Sequence, residues 1–395
     1  MSLGARRRIV SVVGTRPNYM KIAPIAAAIA RREELEHVLV HTGQHYDDSM
    51  SQVFFEQLGV GAPDHMLEVG SGTHAVQTAR VMQRLEPLLV SLQPDVVLVP
   101  GDVNSTMAAA LVASKLAMRV GHVEAGLRSF DRTMPEEINR VVTDSVSDML
   151  FIHSPEARTN LLTEGAPEEA IFAVGNTMID TLVAMLPRVE EASAATSLGL
   201  TVGDYLLVTL HRPALTDGPL LAQALGRLTE VARELPVVFA VHPRTRARIE
   251  ALDLSAPGVR LLDPLGYIEF VSLLSSAAAL LTDSGGIQEE TSFLGIPCFT
   301  LRDNTERPIT VSEGTNVLLG LDPRRISTIP DLLAQGGTVR RASIPGWDGA
   351  AADRVLAVLE LDELPSRVAL TAARRPSLPG FDDAVRLVPH PEPPG

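Results

Sequence analysis

Three carboxylates stand where an apolar segment stops and a polar or helical one begins. Asp102 follows "LVPG", Glu124 follows "VGHV", and Glu136 lies further along in "VEAGLRSFDRTMPEEINR". Carboxylates held beside a substrate can serve as general acids and bases. Two of them could instead be purely structural: Asp102 could cap a helix, and Thr133 with Glu136 fits a helix capping box. A capping role does not account for Glu124, so we expect it to be functional.

Positive side chains and a glycine-rich turn occupy other predicted strand ends. Arg16 and Lys21 follow the first strand in "GTRPNYMK", where cations at a helix start suit a phosphate. In "LLTDSGGIQEE" an apolar strand stops, and residues 284–286 bring the backbone close to a ligand at the next helix N-terminus. Glu290, about one turn into that helix, can accept hydrogen bonds from sugar hydroxyls.

Two histidines end successive predicted strands, His211 in "LVTLHRP" and His242 in "AVHPRT". Neither has H-x-x-x-H spacing, and an arginine beside each disfavours a cation, so we expect no metal site. The chain also contains no G-x-G-x-x-G and no G-x-x-x-x-G-K-[ST]. NAD and ATP bound through those motifs are therefore not expected, and we predict no cofactor.

Composition excludes several classes of protein. The formal net charge of -14 argues against wholesale nucleic-acid binding, which needs a basic face. A single cysteine, Cys298, flanked by apolar residues, indicates a buried side chain and permits no disulfide framework, which fits the cytoplasm. We see no signal peptide and no run of 18 apolar residues, so no membrane association is expected.

Short Val- and Ile-rich runs alternate with helical patterns, which predicts parallel sheets covered on both faces. The pattern restarts after an Ala/Ser/Gly-rich segment at 187–203. We expect an α/β fold of two Rossmann-like, doubly wound domains, 1–186 and 187–349. A helix at 350–365 should pack back on the first domain, and a Pro-rich flexible tail should occupy 371–395.

In parallel sheets, ligands bind beyond the carboxyl ends of the strands, so the two sets of strand ends should face each other across a cleft. Cations and the glycine-rich turn would hold a diphosphate, and the carboxylates would act on the group attached to it. This combination predicts a nucleotide sugar bound between the two domains.

The motifs occur in a familiar order. "GTRPNYMKIAP", "TGQHYDDSM", "GDVNST", "GHVEAGLRS", "PEEINR", "VGNTMID", "HRP", "PLGY", "TDSGGIQEE" and "NTERPITVSEGTN" together resemble the non-hydrolysing UDP-N-acetylglucosamine 2-epimerases. The resemblance covers roughly residues 8–365. It implies a fold of the GT-B type, a UDP-sugar substrate and a homodimer.

The resemblance also implies roles for particular residues. The implied catalytic residues are Asp102, Glu124, Glu136 and His211. The implied substrate-binding residues are Arg16, Lys21, His242, Phe270, Ser284, Gly285, Gly286, Glu290 and Arg307. The sequence departs from the family pattern in two places. Ala214 and Leu215 replace the Glu and Asn of the usual "HRxEN" stretch. The stretch "TGQHYDD" differs from the corresponding stretch of family members that are activated by their own substrate.

The family reaction eliminates UDP across C1–C2 of the sugar, holds 2-acetamidoglucal, and adds UDP back with a proton on the other face of C2. UDP-GlcNAc and UDP-ManNAc are the expected substrate pair. Other possibilities stay open: a different UDP-amino sugar such as a UDP-2,3-diacetamido uronic acid, a hydrolysing relative, a GT-B glycosyltransferase, or a non-catalytic nucleotide-sugar binder.

Overall fold

The computed structural model describes residues 6–43, 61–336 and 343–366, which contain two separate parallel β-sheets. Within these ranges the first sheet has seven strands, in the order β3-β2-β1-β4-β5-β6-β7. Its strands are β1 (Arg7–Val13), β2 (Leu35–His41), β3 (His65–Met66), β4 (Val96–Pro100), β5 (Arg119–Val123), β6 (Met149–Ile152) and β7 (Ile171–Ala173).

Helices connect these strands and cover both faces of the sheet, because the strands are apolar on both sides. They are α1 (Arg16–Ile29), α2 (His74–Leu92), α3 (Asn104–Lys115), α4 (Pro135–Val146), α5 (Pro155–Thr163) and α6 (Thr177–Ala192), with a 3₁₀ turn at Glu168–Ala170.

The second sheet has six strands within the described part of the chain, in the order β10-β9-β8-β11-β12-β13. Its strands are β8 (Leu206–Thr209), β9 (Val237–Ala240), β10 (Val259–Leu262), β11 (Ala279–Thr282), β12 (Cys298–Thr300) and β13 (Asn316–Leu318). Its helices are α7 (Ala194–Ser197), α8 (Pro213–Thr216), α9 (Leu220–Val231), α10 (Pro243–Ala251), α11 (Tyr267–Ser275), α12 (Gly286–Leu294), α13 (Ile309–Ser312), α14 (Ile329–Gln335) and a 3₁₀ segment, Pro323–Thr328.

Both sheets reverse their strand order beside their first strand. The reversal falls between β1 and β4 in one sheet and between β8 and β11 in the other. Such a switch point leaves a crevice at the carboxyl ends of the strands, where open α/β sheets bind ligands. The expected fold class, two Rossmann-like and doubly wound units, is confirmed.

One helix contacts both halves, and the last described helix packs back on the first. Helix α6 packs against α1 of the first half and against α11 and α12 of the second. Helix α15 (Ala351–Leu359) packs on α1 and α6, and its first backbone N–H groups, those of Ala351 and Ala352, donate to the Asp180 carboxylate at 3.1 and 2.7 Å. Since α6 is one helix as far as Ala192, the first residues of the predicted 187–203 linker are helical.

The remaining expectations about chain organisation stand as follows. The division into domains 1–186 and 187–349 stays a prediction. The tail at 371–395 lies outside the described residues. Cys298 is buried and free, as its apolar flanks predicted. No helix in the described ranges is both long and apolar enough to cross a membrane.

Candidate active site

A cleft of about 840 Å³ opens where the strand ends of the two halves meet. All but one of the predicted site residues line it: Arg16, Lys21, Asp102, Glu136, His211, His242, Phe270, Ser284, Gly285, Gly286, Glu290 and Arg307. Glu124 does not line the cleft but lies behind it, in contact with Lys21 and Arg307. The tertiary structure therefore brings residues from widely separated motifs into one place.

Asp102 lies in the turn between β4 and α3. The N-cap of α3 is Val103, so the alternative that Asp102 caps this helix is wrong. Its carboxylate accepts hydrogen bonds from Arg140 Nη2 at 2.6 Å and Nε at 3.1 Å. Gly101, just before it, has φ 68°, and a Cβ there would lie 2.8 Å from Lys21 Nζ. Glycine is needed at this turn because the backbone is left-handed and Lys21 approaches it closely.

Glu124 is buried at the end of β5 between cations from both halves. Its Oε2 lies 2.7 Å from Lys21 Nζ, and its Oε1 accepts from Arg307 Nη2 at 2.8 Å. Burial by itself would raise the pKa of Glu124, but Lys21 and Arg307 outweigh burial and hold the pKa at about 2. The residue also has φ 73°, a conformation that costs energy without glycine and is frequent at functional sites.

The start of α4 does not contain the capping box that its sequence suggested. The N-cap residue is Met134, and it makes no side-chain cap hydrogen bond. Thr133 Oγ1 instead donates to Asp131 Oδ1 at 2.6 Å. The interpretation of Thr133 and Glu136 as a capping box is therefore wrong, because the helix begins one residue later than that motif requires.

The two neighbouring glutamates of α4 have opposite environments. Glu137 is buried and accepts hydrogen bonds from Ser129 N and Oγ, from Phe130 N, each at 2.9 Å, and from Arg140 Nη1 at 2.6 Å. Glu136 is half-buried on the cleft wall, where Arg212 attracts it electrostatically, and within the described part of the chain no hydrogen bond or close ion pair fixes it. Glu137 thus shapes the 129–137 loop, and the Glu136 carboxylate is available to a ligand.

His211, after β8, is oriented by Asp283, after β11. The Asp283 carboxylate accepts from the backbone N–H of Arg212 at 2.8 Å and of His211 at 3.0 Å, and His211 Nδ1 lies 3.0 Å from its Oδ1. Burial would raise the pKa of Asp283, but hydrogen bonds from His211 and Arg212 lower it. An ionised Asp283 requires the hydrogen on Nδ1, which leaves Nε2 of His211 as the ring nitrogen without that partner.

The histidine pair of the sequence prediction is brought together, with the ring centroids of His211 and His242 6.2 Å apart. His242 also caps α10, since its side chain accepts a hydrogen bond from Arg244 N. Across the described ranges, no group of three or more His, Cys, Asp or Glu residues is arranged to hold a metal ion.

The glycine-rich turn forms the N-terminus of α12. Gly285 is the N-cap residue, and no side chain hydrogen-bonds to the cap, so backbone N–H groups of the first turn remain for an anion. A Cβ at Gly285 would lie 2.7 Å from Arg307 Nη1, so a larger residue there would have to displace the guanidinium. Arg16, at the start of α1, lines the same cleft from the first half.

Glu290 is buried one turn into α12 and accepts a hydrogen bond from Tyr267 Oη at 2.8 Å. Burial, together with the neighbouring Glu289, raises its pKa to about 7, against the lowering influence of Tyr267 and Arg16. Its carboxyl therefore changes charge near neutral pH.

Several partner residues escaped the sequence prediction because their importance depends on what they touch. Arg140 pairs with Asp102, Asp283 orients His211, and Tyr267 holds Glu290. The same applies to Glu289 and Glu306, whose carboxylates lie 2.8 and 3.6 Å from Arg307. These residues lie in "PEEINR", "TDSGGIQEE", "PLGY" and "NTERP", which belong to the family resemblance, but the sequence does not tell which residue pairs with which.

The family profile described as UDP-N-acetylglucosamine 2-epimerase matches residues 27–360. The chain belongs to this family. The resemblance read from the motifs is thereby confirmed, and with it membership of a family of isomerases.

Individual relatives are similar over most of their length. A UDP-N-acetylglucosamine 2-epimerase from Methanocaldococcus jannaschii is 40% identical over 362 residues, which cover 88% of this chain and 97% of the relative. A UDP-2,3-diacetamido-2,3-dideoxy-D-glucuronate 2-epimerase from Pseudomonas aeruginosa is 44% identical over 318 residues, 79% of this chain and 88% of that one.

Solved structures agree with the fold. The crystal structure of Methanocaldococcus jannaschii UDP-GlcNAc 2-epimerase in complex with UDP-GlcNAc and UDP matches with a TM-score of 0.80 and 39% identity, over 89% of this chain and 99% of that chain. Phytolacca americana UGT2, complexed with UDP-2fluoro-glucose and pterostilbene, matches with a TM-score of 0.56 at 13% identity, a likeness of fold alone. The GT-B type of the expected fold is thus confirmed.

The Glu290 pKa generates a prediction about stability. Because the folded pKa lies above the ordinary value of 4.5, this group stabilises the fold fully below pH 4.5, and that contribution is lost as pH rises through about 7. Glu290→Gln mimics the protonated form and should therefore be more stable than the parent at pH 8, by up to about 3 kcal/mol. The advantage should shrink towards pH 5.

Urea unfolding of the ligand-free protein between pH 5 and 8 measures this difference. Glu269→Gln, an exposed change on the neighbouring helix α11, is the matched control for replacement of a glutamate by glutamine. A pH-independent offset for Glu290→Gln would contradict the raised pKa.

Proposed function

We propose that this protein is a UDP-N-acetylglucosamine 2-epimerase that interconverts UDP-GlcNAc and UDP-ManNAc by elimination and re-addition of UDP. The observation that carries the proposal is the arrangement of opposite chemistry in one cleft. Anion-binding groups, Arg16, His211 and the α12 N-terminus, share it with the carboxylates Asp102 and Glu136. The family and the ligands named for the Methanocaldococcus jannaschii structure support the same substrate.

The reaction must remove a proton of low acidity from C2 of the sugar. C2 of the sugar carries an N-acetyl group and has no adjacent carbonyl, so removal of its proton is coupled to departure of UDP. The C2–H electrons form the C1–C2 double bond, and the C1–O electrons leave with the β-phosphate of UDP. In the return step a proton is delivered to the opposite face of C2, and the UDP oxygen forms the C1–O bond again.

The positively charged and N–H groups that line the cleft are suited to bind the leaving group, UDP. UDP gains negative charge as the C1–O bond breaks, and cations and oriented N–H groups stabilise charge that develops in the transition state. Arg16 and the Ser284–Gly286 turn would hold the phosphates from the two halves. His211, with Nδ1 held by Asp283, would direct Nε2 to a phosphate oxygen.

Among the three carboxylates, Glu136 is the one that no hydrogen bond or close ion pair fixes within the described residues, and it lines the cleft. Asp102 is paired with Arg140, and Glu124 is held between Lys21 and Arg307, which keep the pKa of Glu124 low. A base locked in two ion pairs is weak. We therefore assign proton transfer at C2 to Glu136 on one face, with Asp102 and Glu124 completing the site.

The decisive experiment follows deuterium at C2. The purified protein, dialysed against EDTA and free of nicotinamide, is incubated with UDP-GlcNAc alone in D₂O and monitored by NMR. We expect both epimers to form and both to carry deuterium at C2, because the proton exchanges with solvent during elimination. Absence of exchange, or a requirement for NAD or for a sugar acceptor, would contradict the proposed reaction.

A second substrate has its own support. The relative from Pseudomonas aeruginosa, at 44% identity, is named for UDP-2,3-diacetamido-2,3-dideoxy-D-glucuronate. The same elimination chemistry would serve that sugar, which differs by an acetamido group at C3 and a carboxylate at C6. Parallel NMR assays with both UDP-sugars decide between them, and the true substrate should show the larger kcat/KM.

The neighbouring glutamates of α4 provide a matched pair of variants. Glu136→Gln should lower kcat by about 10²–10⁴-fold, as expected for loss of an acid–base group, with an unchanged melting temperature. Glu137→Gln should instead lower the free energy of unfolding by about 1–3 kcal/mol, because it weakens buried hydrogen bonds to Ser129, Phe130 and Arg140. Initial rates and thermal melts measure both. Parent-like turnover of Glu136→Gln would show that Glu136 is not an acid–base group.

The assembly and location are part of the same proposal. The family resemblance implies a homodimer, so light scattering should give a mass near twice the 42.3 kDa of one chain. A mass of one chain at assay concentrations would contradict it. We also propose a cytoplasmic location, in keeping with the single unpaired Cys298.

A further inference from the structure

Four guanidinium groups gather around one buried carboxylate, that of Glu306. Arg302 binds it through both nitrogens, Nη2 to Oε1 at 2.8 Å and Nη1 to Oε2 at 3.0 Å. Arg307 lies 3.6 Å from it, Arg140 3.8 Å and Arg212 3.9 Å. Only 1% of the Glu306 side chain is exposed, and Glu306 is not among the catalytic or substrate-binding residues of the proposed function.

The charges explain why a carboxylate is needed at this point. Guanidiniums keep their charge when buried, and so many near one another repel unless an anion stands between them. Burial would raise the pKa of Glu306, but Arg302, Arg307 and Arg140 together hold it well below its usual range. Glu306 is thus a permanent negative charge whose position determines where these cations can lie.

Two of the four arginines lead directly to predicted catalytic carboxylates. Arg140 Nη2 donates to Asp102 Oδ2 at 2.6 Å, and Arg307 Nη2 donates to Glu124 Oε1 at 2.8 Å. Asp102, Glu124 and Arg140 belong to the first half of the chain, whereas Glu306 and Arg307 belong to the second. A single arginine therefore links Glu306 to each of these two carboxylates, which belong to the opposite half of the chain.

We propose that Glu306 is a positioning residue of the epimerase, which holds Arg140 and Arg307 so that Asp102 and Glu124 take their places when the two halves meet. This inference rests on the proposed function. Glu306 lines the cleft wall beneath its arginines and acts through them, so it is not a catalytic group. Displacement of a reacting group by about 1 Å can cost about 10²-fold in rate, which sets the scale of the expected effect.

A simpler role must be distinguished from this one. Because Arg302 alone binds Glu306 through two hydrogen bonds, Glu306 could serve only to neutralise Arg302. That role predicts that removal of both charges restores the site. The positioning role predicts that it does not, since Arg140 and Arg307 still lack their shared anion.

The test compares Glu306→Gln, Glu306→Asp and the double variant Glu306→Gln with Arg302→Gln. Glu313→Gln is the control, an exposed glutamate on the same segment. kcat and KM come from the NMR assay with UDP-GlcNAc, the affinity for UDP from calorimetry, and folding from thermal melts. UDP affinity shows whether each variant still folds around its nucleotide site.

We expect Glu306→Gln to lower kcat by about 10²-fold while UDP affinity changes by less than about tenfold. Glu306→Asp should recover part of the rate, because the charge is kept at a shorter reach. The double variant should bind UDP and remain slow, and Glu313→Gln should match the parent. Recovery of the parent kcat in the double variant, or a loss of UDP affinity with kcat unchanged, would overturn the inference.

The test of Glu306 and the test of the proposed function can fail independently of each other. If the parent protein exchanges no C2 proton in D₂O, the function fails whatever these variants do. If the parent exchanges and the Glu306 variants turn over at the parent rate, the function stands and the positioning role fails.

Discussion

Arg307 reaches from the second half of the chain to Glu124 in the first, and its Nη2 donates to Glu124 Oε1 at 2.8 Å. Both side chains are buried, so water cannot compensate either charge, and each must find its counter-charge within the protein. Each of the two residues also has a second partner: Glu124 pairs with Lys21, and Arg307 pairs with Glu289. The rest of the site is arranged around this constraint, because it determines how closely the two halves approach.

The strand order of the two sheets places these charged residues at the cleft. In each sheet the strand order reverses beside the first strand, and chain segments leave the crevice in opposite directions. Arg16 and Asp102 follow the two strands that flank the crevice of the first sheet, and His211 and Asp283 follow those of the second. The first sheet thus supplies the carboxylates Asp102 and Glu124 and the cation Arg16, and the second supplies His211 with its carboxylate partner and a helix N-terminus. Neither half contains a complete site by itself.

Adjacent residues with the same side chain have acquired different tasks at the start of α4. Glu137 points to the loop before the helix and satisfies the N–H groups of Ser129 and Phe130, the latter in a left-handed conformation with φ 59°. Glu136 lies on the cleft, where among the described residues Arg212 attracts it without forming a hydrogen bond. A rotation of about 100° per residue around the helix axis separates the two directions. A loop stabilised by one glutamate therefore leaves the other on the wall of the cleft.

The sequence alone was sufficient for the two parallel sheets, the strand-end positions of Asp102, Glu124 and His211, and the glycine-rich turn at 284–286 that begins a helix, because apolar runs and glycines express local backbone requirements. It could not decide between a capping role and a free carboxylate for Glu136, since that choice depended on a helix start shifted by one residue. Nor could it show that Glu124 is locked between Lys21 and Arg307, or that Glu306 gathers four arginines. Those pairings join residues far apart in the chain, and only the tertiary structure, through burial of charges that must then find partners, decides them.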